Sequence, residues 1–181
     1  MPLVTEAFNW DHGVFLGATA SSETTAANIG AVGDLRRDPF AMQPFCGYNM
    51  ADYFQHWLDM GDRLASRAPR IFYVNWFRKT PDGKWLWPGY GENSRVLKWM
   101  CERVDGRNGA RQTPIGFLPN EGDLDLTGLA IPQDNITELT RVDTAAWKAE
   151  VPDIEKHFAQ FGDRLPERLK KQLVELEARL E

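Results

Sequence analysis

Six aromatic side chains, Trp76, Phe77, Trp85, Trp87, Tyr90 and Trp99, fall within 24 residues of a chain of 181. Rings of this size must end in a core or against a ligand, because each carries a large apolar surface. Thr80-Pro81-Asp82-Gly83 punctuates the block, and its Pro and Asp-Gly chemistry makes a turn. Before it, residues 70–77 read as a strand; after it, residues 84–90 read as a short extended piece interrupted at Pro88-Gly89. Asn93 or Ser94 then caps a helix whose apolar face is Val96, Leu97, Met100 and Val104, stopped by Gly106.

Such a block can hold a flat purine, since stacking on an aromatic face contributes roughly 1–3 kcal/mol per base. Stacking does not choose between guanine and adenine; hydrogen bonds to the base edge must do so. Gly89 and Gly91 let the backbone approach a base closely, and the Asn93 amide offers both a donor and an acceptor. The pattern alone also fits an ordinary aromatic core, which is the commoner outcome. Arg78, Lys79 and Arg95 are then solvated or paired charges. That reading expects Trp76, Trp85 and Tyr90 to be buried against aliphatic neighbours.

Elsewhere, Gly13-Val14-Phe15-Leu16-Gly17 reads as a buried strand bounded by glycines, and residues 4–10 are short and mixed. Residues 18–33 consist almost entirely of Ala, Thr, Ser, Gly and Asn, with Ile29 and Val32 as the large apolar anchors. So little burial predicts a mobile loop, and loops of this length often serve as lids. Met50, Phe54, Trp57 and Leu58 follow helical spacing that ends near Gly61. Residues 115–118 predict a short strand, while 123–129 and 136–139 give only short unassigned elements. Asp143 or Thr144 opens a helix bearing Trp147, Val151, Ile154, Phe158 and Phe161, with Pro152 as a kink or as its start. Pro166 opens a last helix whose stripe, Leu169, Leu173, Leu176 and Leu180, is too short for a coiled coil and reads as a docking face.

Several function classes drop out. A formal charge of -5 argues against sequence-independent nucleic-acid binding. No run approaches the roughly 20 apolar residues of a membrane span. The first residues lack the basic and apolar regions of a signal peptide. Cys46 and Cys101 form no CxxC pair, which suits a reducing cytosol. His12, His56 and His157 share no metal-binding spacing, and no metal ligands are expected in this chain. The phosphate-binding pattern GxxxxGK(S/T) does not occur.

Longer strings are more specific. NWFRK at 75–79, LWPGYGENSRVLKWM at 86–100 and DPFAMQPFCGYN at 38–49 resemble the GTP-dependent phosphoenolpyruvate carboxykinases. So do residues 12–18, Ser22-Glu23-Thr24-Thr25-Ala26-Ala27, residues 113–116 and the acidic helix over 147–157. The resemblance covers nearly the whole chain. Trp85 and Tyr90 stand where many members have Phe, which preserves stacking; Cys46 replaces a common Phe, and Ser21 an Arg of animal members.

The resemblance implies an α/β fold, a mixed sheet with flanking helices, as the carboxy-terminal portion of the carboxykinase nucleotide-binding domain over residues 1–181. Strands near Gly13, Phe72 and Ile115 would join that sheet. It implies a guanine site in 75–95, with Trp76, Phe77, Trp85 and Tyr90 around the base and Tyr90, Gly91, Glu92 and Asn93 at its edge. It implies an Ω-loop lid formed by Thr24, Thr25, Ala26, Ala27, Asn28, Ile29, Gly30, Ala31, Val32, Gly33 and Asp34 within a loop region of 17–47, and terminal helices over 144–181. The implied reaction converts oxaloacetate and GTP to phosphoenolpyruvate, CO2 and GDP in the cytoplasm, in gluconeogenesis, with Mn2+ or Mg2+. The family's P-loop, metal ligands and oxaloacetate-binding arginines are expected upstream of Met1, so the chain alone is expected to be inactive. Expected partners are oxaloacetate or phosphoenolpyruvate and a guanine nucleotide, with no nucleic acid and no membrane, in a full-length form that is monomeric. A stand-alone guanine-nucleotide-binding module without catalysis is the alternative.

Overall fold

A computed structural model of the chain describes residues 1–23 and 35–181. The expected lid, residues 24–34, lies outside the described residues. In chain order the elements are β1 (Val4–Glu6), α1 (Trp10–Ala18), β2 (Ser21–Glu23), β3 (Leu35–Arg37), α2 (Met50–Leu64), β4 (Phe72–Val74), α3 (Asn93–Val104), β5 (Arg111–Thr113), β6 (Gly116–Leu118), α4 (Gln133–Thr140), α5 (Thr144–Ala159) and α6 (Glu167–Leu180). They fall into two compact units, Met1–Phe8 with Arg70–Thr144, and Asn9–Pro69 with Ala145–Glu181. No described helix is long and apolar enough to cross a membrane.

The first unit is a sheet in the order β4-β1-β6-β5 with helices beside it, and its described pairings are antiparallel. β1 is an inner strand, pairing Val4 with Val74 and Glu6 with Phe72 on one side and Glu6 with Phe117 on the other. Both its faces are covered, so Val4, Thr5 and Glu6 are all buried and show no polar alternation. The core holds Leu3, Val4, Leu86, Trp87, Val96, Trp99, Leu124 and Leu139. Gly116 makes the β5–β6 turn at φ 137°, where a Cβ would meet the Glu6 carbonyl oxygen at 2.6 Å; only glycine lets these backbones close.

Glu6 is 4% exposed, and an unpaired carboxylate there would be costly. Arg70 Nη1 donates to its Oε1 at 3.0 Å and Arg103 Nε to its Oε2 at 2.8 Å. Arg103 sits in the last turn of α3, so one carboxylate ties β1 to that helix. The face of α3 differs from the expected stripe: Val96 and Trp99 are buried, while Leu97 and Val104 are more than half exposed. The indole of Trp99 displaces those aliphatics because it meets Phe72 edge-on, at 5.9 Å between centroids.

In the second unit, the strand expected over residues 13–17 is instead part of helix α1. Its N-cap, Asn9, accepts from His12 N–H at 2.9 Å. The run is apolar because the helix is buried nearly all round, and a buried helix shows no period to distinguish it from a strand. Gly17 serves packing here, since a Cβ would stand 2.6 Å from the Phe40 ring. Burial, then the nearby Arg179 charge, pushes the His12 imidazole down to about 3, so it is neutral near pH 7. α2 runs past Gly61 to Leu64, because that glycine makes room for Trp10 and does not end the helix. α5 starts at Thr144 and carries Pro152 inside it, and Trp147 is only half-buried. α6 buries Leu169, Leu173, Leu176 and Leu180, the expected docking face.

β2 and β3 pair antiparallel, with Glu23 opposite Leu35. Arg37 fastens this stem. Its Nη1 donates to the Thr19 carbonyl at 2.7 Å, its Nε to Asp153 Oδ2 at 2.9 Å, and its Nη2 to Glu150.

Two stability outcomes follow from these contacts. Arg103→Met should lower the unfolding free energy in urea by about 2–3 kcal/mol, because it strands part of a buried carboxylate. Adding Glu6→Gln to it should restore part of that loss; full additivity would show that Glu6 and Arg103 do not interact. Gly61→Ala should destabilise, although alanine normally gains about 1 kcal/mol over glycine in a helix. The new methyl would stand 2.3 Å from Trp10 Cδ1, and Trp10 is held by its N–H bond to the Trp57 carbonyl at 2.7 Å. A raised melting temperature for Gly61→Ala would show that Trp10 yields without cost.

Candidate functional site

Residues 75–95 leave the sheet at the end of β4. Asn75 turns the chain, donating through Nδ2 to the Met1 carbonyl at 3.1 Å and accepting from Phe77 N–H at 3.2 Å. The expected turn forms over 80–83, with Gly83 N–H bonded to the Thr80 carbonyl at 2.9 Å and Lys79 bridged to Trp85. Leu86 N–H closes onto the Arg78 carbonyl at 3.0 Å.

The aromatic residues divide into two groups. Trp87 and Trp99 are about 1% exposed and belong to the core. Trp76 is half-buried and packs on the margin of that core. Phe77, Trp85 and Tyr90 are 71%, 52% and 99% exposed. Phe77 and Trp85 meet at 64° with centroids 5.9 Å apart, leaving ring surface open. The Lys79 ammonium lies 4.3 Å from the Trp85 centroid, which places a cation on one face of that indole. Of the three residues that the core reading expects to be buried, Trp76 is half-buried against the core, while Trp85 and Tyr90 are exposed.

Gly89, at φ 74° and ψ -164°, takes a conformation essentially confined to glycine. Tyr90 follows at φ 48°, the left-handed region, and opens a 3-10 turn over Tyr90–Glu92. That turn leads into α3, so Asn93 is the first residue of the helix and Glu92 stands at its cap. Ser94 Oγ donates to the Gly91 carbonyl at 2.7 Å, and Glu92 pairs with Arg95. Arg95 also reaches the Asp125 carbonyl at 2.6 Å. Hydrogen bonds from Lys98, and next from Thr127 N–H, hold the Asp125 carboxyl well below the usual carboxylate range. Trp87 Nε1 donates to Asn93 Oδ1 at 2.9 Å.

The fold thus joins Phe77 with Trp85, and Asn93 with Trp87, while Trp76 is drawn toward the core. In the sequence, Trp87 has no role of its own and Lys79 only that of a solvated or paired charge. Both lie inside the motif, but their contacts depend on how the 80–83 and 90–92 turns fold back. Among the described residues, no group of three or more His, Cys, Asp and Glu could hold a metal ion.

A strained, nearly bare tyrosine offers a test. Tyr90→Gly should raise the unfolding free energy by about 0.5–1 kcal/mol, because the left-handed backbone no longer opposes a side chain. Chemical denaturation measures this; a loss of stability would show that the exposed ring supports the fold.

Residues 1–179 match the family described as phosphoenolpyruvate carboxykinase, C-terminal P-loop domain. A relative from Treponema pallidum (strain Nichols), named phosphoenolpyruvate carboxykinase [GTP], is 54% identical over 183 residues, covering 99% of this chain and 30% of its own length. Relatives of the same name from Neocallimastix frontalis and Thermoplasma volcanium are 53% and 52% identical, over 99% and 95% of this chain. The chain spans 30% and 28% of the length of these two.

Proposed function

Because the chain belongs to the family of GTP-dependent phosphoenolpyruvate carboxykinases, we propose that residues 75–95 form the guanine-binding face of such an enzyme. The exposure of Phe77, Trp85 and Tyr90 carries this reading, since a core would have buried them. Large rings left in water beside a glycine-rich turn suit a flat base that covers them on binding. Glu92 N–H bonds to the Gly89 carbonyl at 3.1 Å, so the turn is closed by its own backbone. Asn93, at its end, supplies the polar contact that stacking lacks.

The reaction proposed for the whole enzyme is oxaloacetate plus GTP to phosphoenolpyruvate, CO2 and GDP. Loss of CO2 leaves an enolate, whose oxygen takes the γ-phosphoryl group. The residues described here bind and orient the nucleotide base. They do not fit a divalent metal site, and no chemical step is assigned to them. The lid reading for residues 24–34 is supported by the β2–β3 ladder, which places Glu23 opposite Leu35, so the segment leaves and rejoins the fold at one place. A cytoplasmic, monomeric enzyme acting in gluconeogenesis completes the reading.

Isothermal titration of the chain with GDP tests the base site. Binding should be measurable, and Trp85→Ala should weaken it by roughly 1–3 kcal/mol through lost stacking. Unchanged affinity in that variant would sink the proposal. The alternative, a guanine-nucleotide-binding module without catalysis, shares the same face; both readings expect no turnover from these 181 residues alone, so carboxykinase activity of a longer chain that contains them would exclude it.

A further inference from the structure

We propose that Trp87 is a positioning residue for base selection: its buried indole N–H fixes the Asn93 amide so that a donor, and not an acceptor, faces the bound base. This rests on the base site proposed above and adds a residue to it that never touches the ligand.

The argument starts from an ambiguity in asparagine. A carboxamide has an oxygen that accepts and a nitrogen that donates, and the two exchange places when the group turns over. A free asparagine therefore suits either purine. Adenine presents the N6 amino donor beside the N7 acceptor, and asparagine pairs well with both; guanine presents two acceptors, O6 and N7. An amide that can turn over has no strong reason to reject adenine.

Trp87 removes that freedom. An indole nitrogen only donates, so the atom 2.9 Å from it must be the Asn93 oxygen. Turning the amide over would set N–H against N–H. The indole cannot move to accommodate this, because Trp87 is 1% exposed and packed with Leu3, Val4, Val96 and Trp99. Neither can Asn93 move away easily, since it is the first residue of α3 and is joined to Trp87 through the Gly89–Tyr90 turn. The turned-over state would also leave a buried indole N–H without a partner, which costs about as much as a tenfold loss in affinity or more. With Oδ1 drawn to the core, Nδ2 is the branch left on this half-buried residue to meet a ligand. A purine with an oxygen at C6 satisfies it, and one with an amino group there does not.

Titration of the 181-residue chain with GDP, IDP and ADP tests the proposal. IDP keeps the C6 oxygen and lacks the 2-amino group, so it isolates this contact. Wild type should prefer GDP and IDP over ADP. Trp87→Phe keeps most of the packing and removes the N–H; it should reduce the preference for both oxo-purines about tenfold, with ADP affinity unchanged. In an Asn93→Ala background the same substitution should leave the preference where Asn93→Ala alone put it. Equal weakening of all three nucleotides would make Trp87 a packing residue and overturn the proposal. A wild-type chain that binds GDP and ADP alike would overturn the proposal, and one that binds none of the three would remove the base-site reading itself. Should Trp87→Phe fail to fold, the Trp87 indole proton decides the matter by exchange with solvent. It should exchange faster in Asn93→Ala than in wild type, and equal rates would show that the bond is absent.

Discussion

The Glu6 carboxylate, buried between Arg70 and Arg103, is the interaction on which the first unit depends. A lone charge in that position would push β1 out of the sheet, and β1 is the strand that joins β4 to β6. The two arginines come from positions 64 and 97 residues away. Their convergence on one group ties the lead into β4 and the end of α3 to the centre of the sheet. Since β4 runs into Asn75 and α3 begins at Asn93, both ends of the aromatic segment are set by the same ion cluster. Replacing such a cluster by apolar groups can be neutral or better for stability, whereas removing one member is costly.

The aromatic segment shows how one composition serves two ends. Trp87 and Trp99 supply the apolar mass that holds α3 on the sheet, with Phe72 edge-on to Trp99. Phe77, Trp85 and Tyr90 add little to that core and stand in water. The separation is made by the chain's own turns. Thr80 to Gly83 reverses direction so that Trp85 lies by Phe77, and the Gly89–Tyr90 corner swings the tyrosine out while bringing Asn93 back against Trp87. Backbone strain at Tyr90 is tolerated because the flanking core is packed well enough to impose it.

Periodicity made the leucine stripe of α6 legible, because a surface helix with one buried face repeats cleanly. The exposed ring group and Asn93 were legible from the string of residues. β1 was not, because a strand covered on both faces loses its alternation and the partners of Glu6 lie far away in the sequence. α1 was misread as a strand for the same reason: in residues 13–17 all but Gly17 are buried, and so continuous a run carries no period. The α3 face was read one step out of phase, since the aliphatic spacing matched a helix but Trp99 claimed the core. Within the site, the hidden part was Trp87. Its contact with Asn93 exists only once residues 88–92 have folded into their corner.

The stem formed by β2 and β3 has a consequence for how sequences of this kind can diverge. Arg37 anchors it through a carbonyl and two carboxylates, and Ser22 Oγ donates to the buried Asp38 at 2.7 Å. The two strands that flank residues 24–34 are thus held by bonds made from outside that segment. Sequences of this kind can keep that stem as they diverge, provided that Arg37, Ser22 and Asp38 keep their partners.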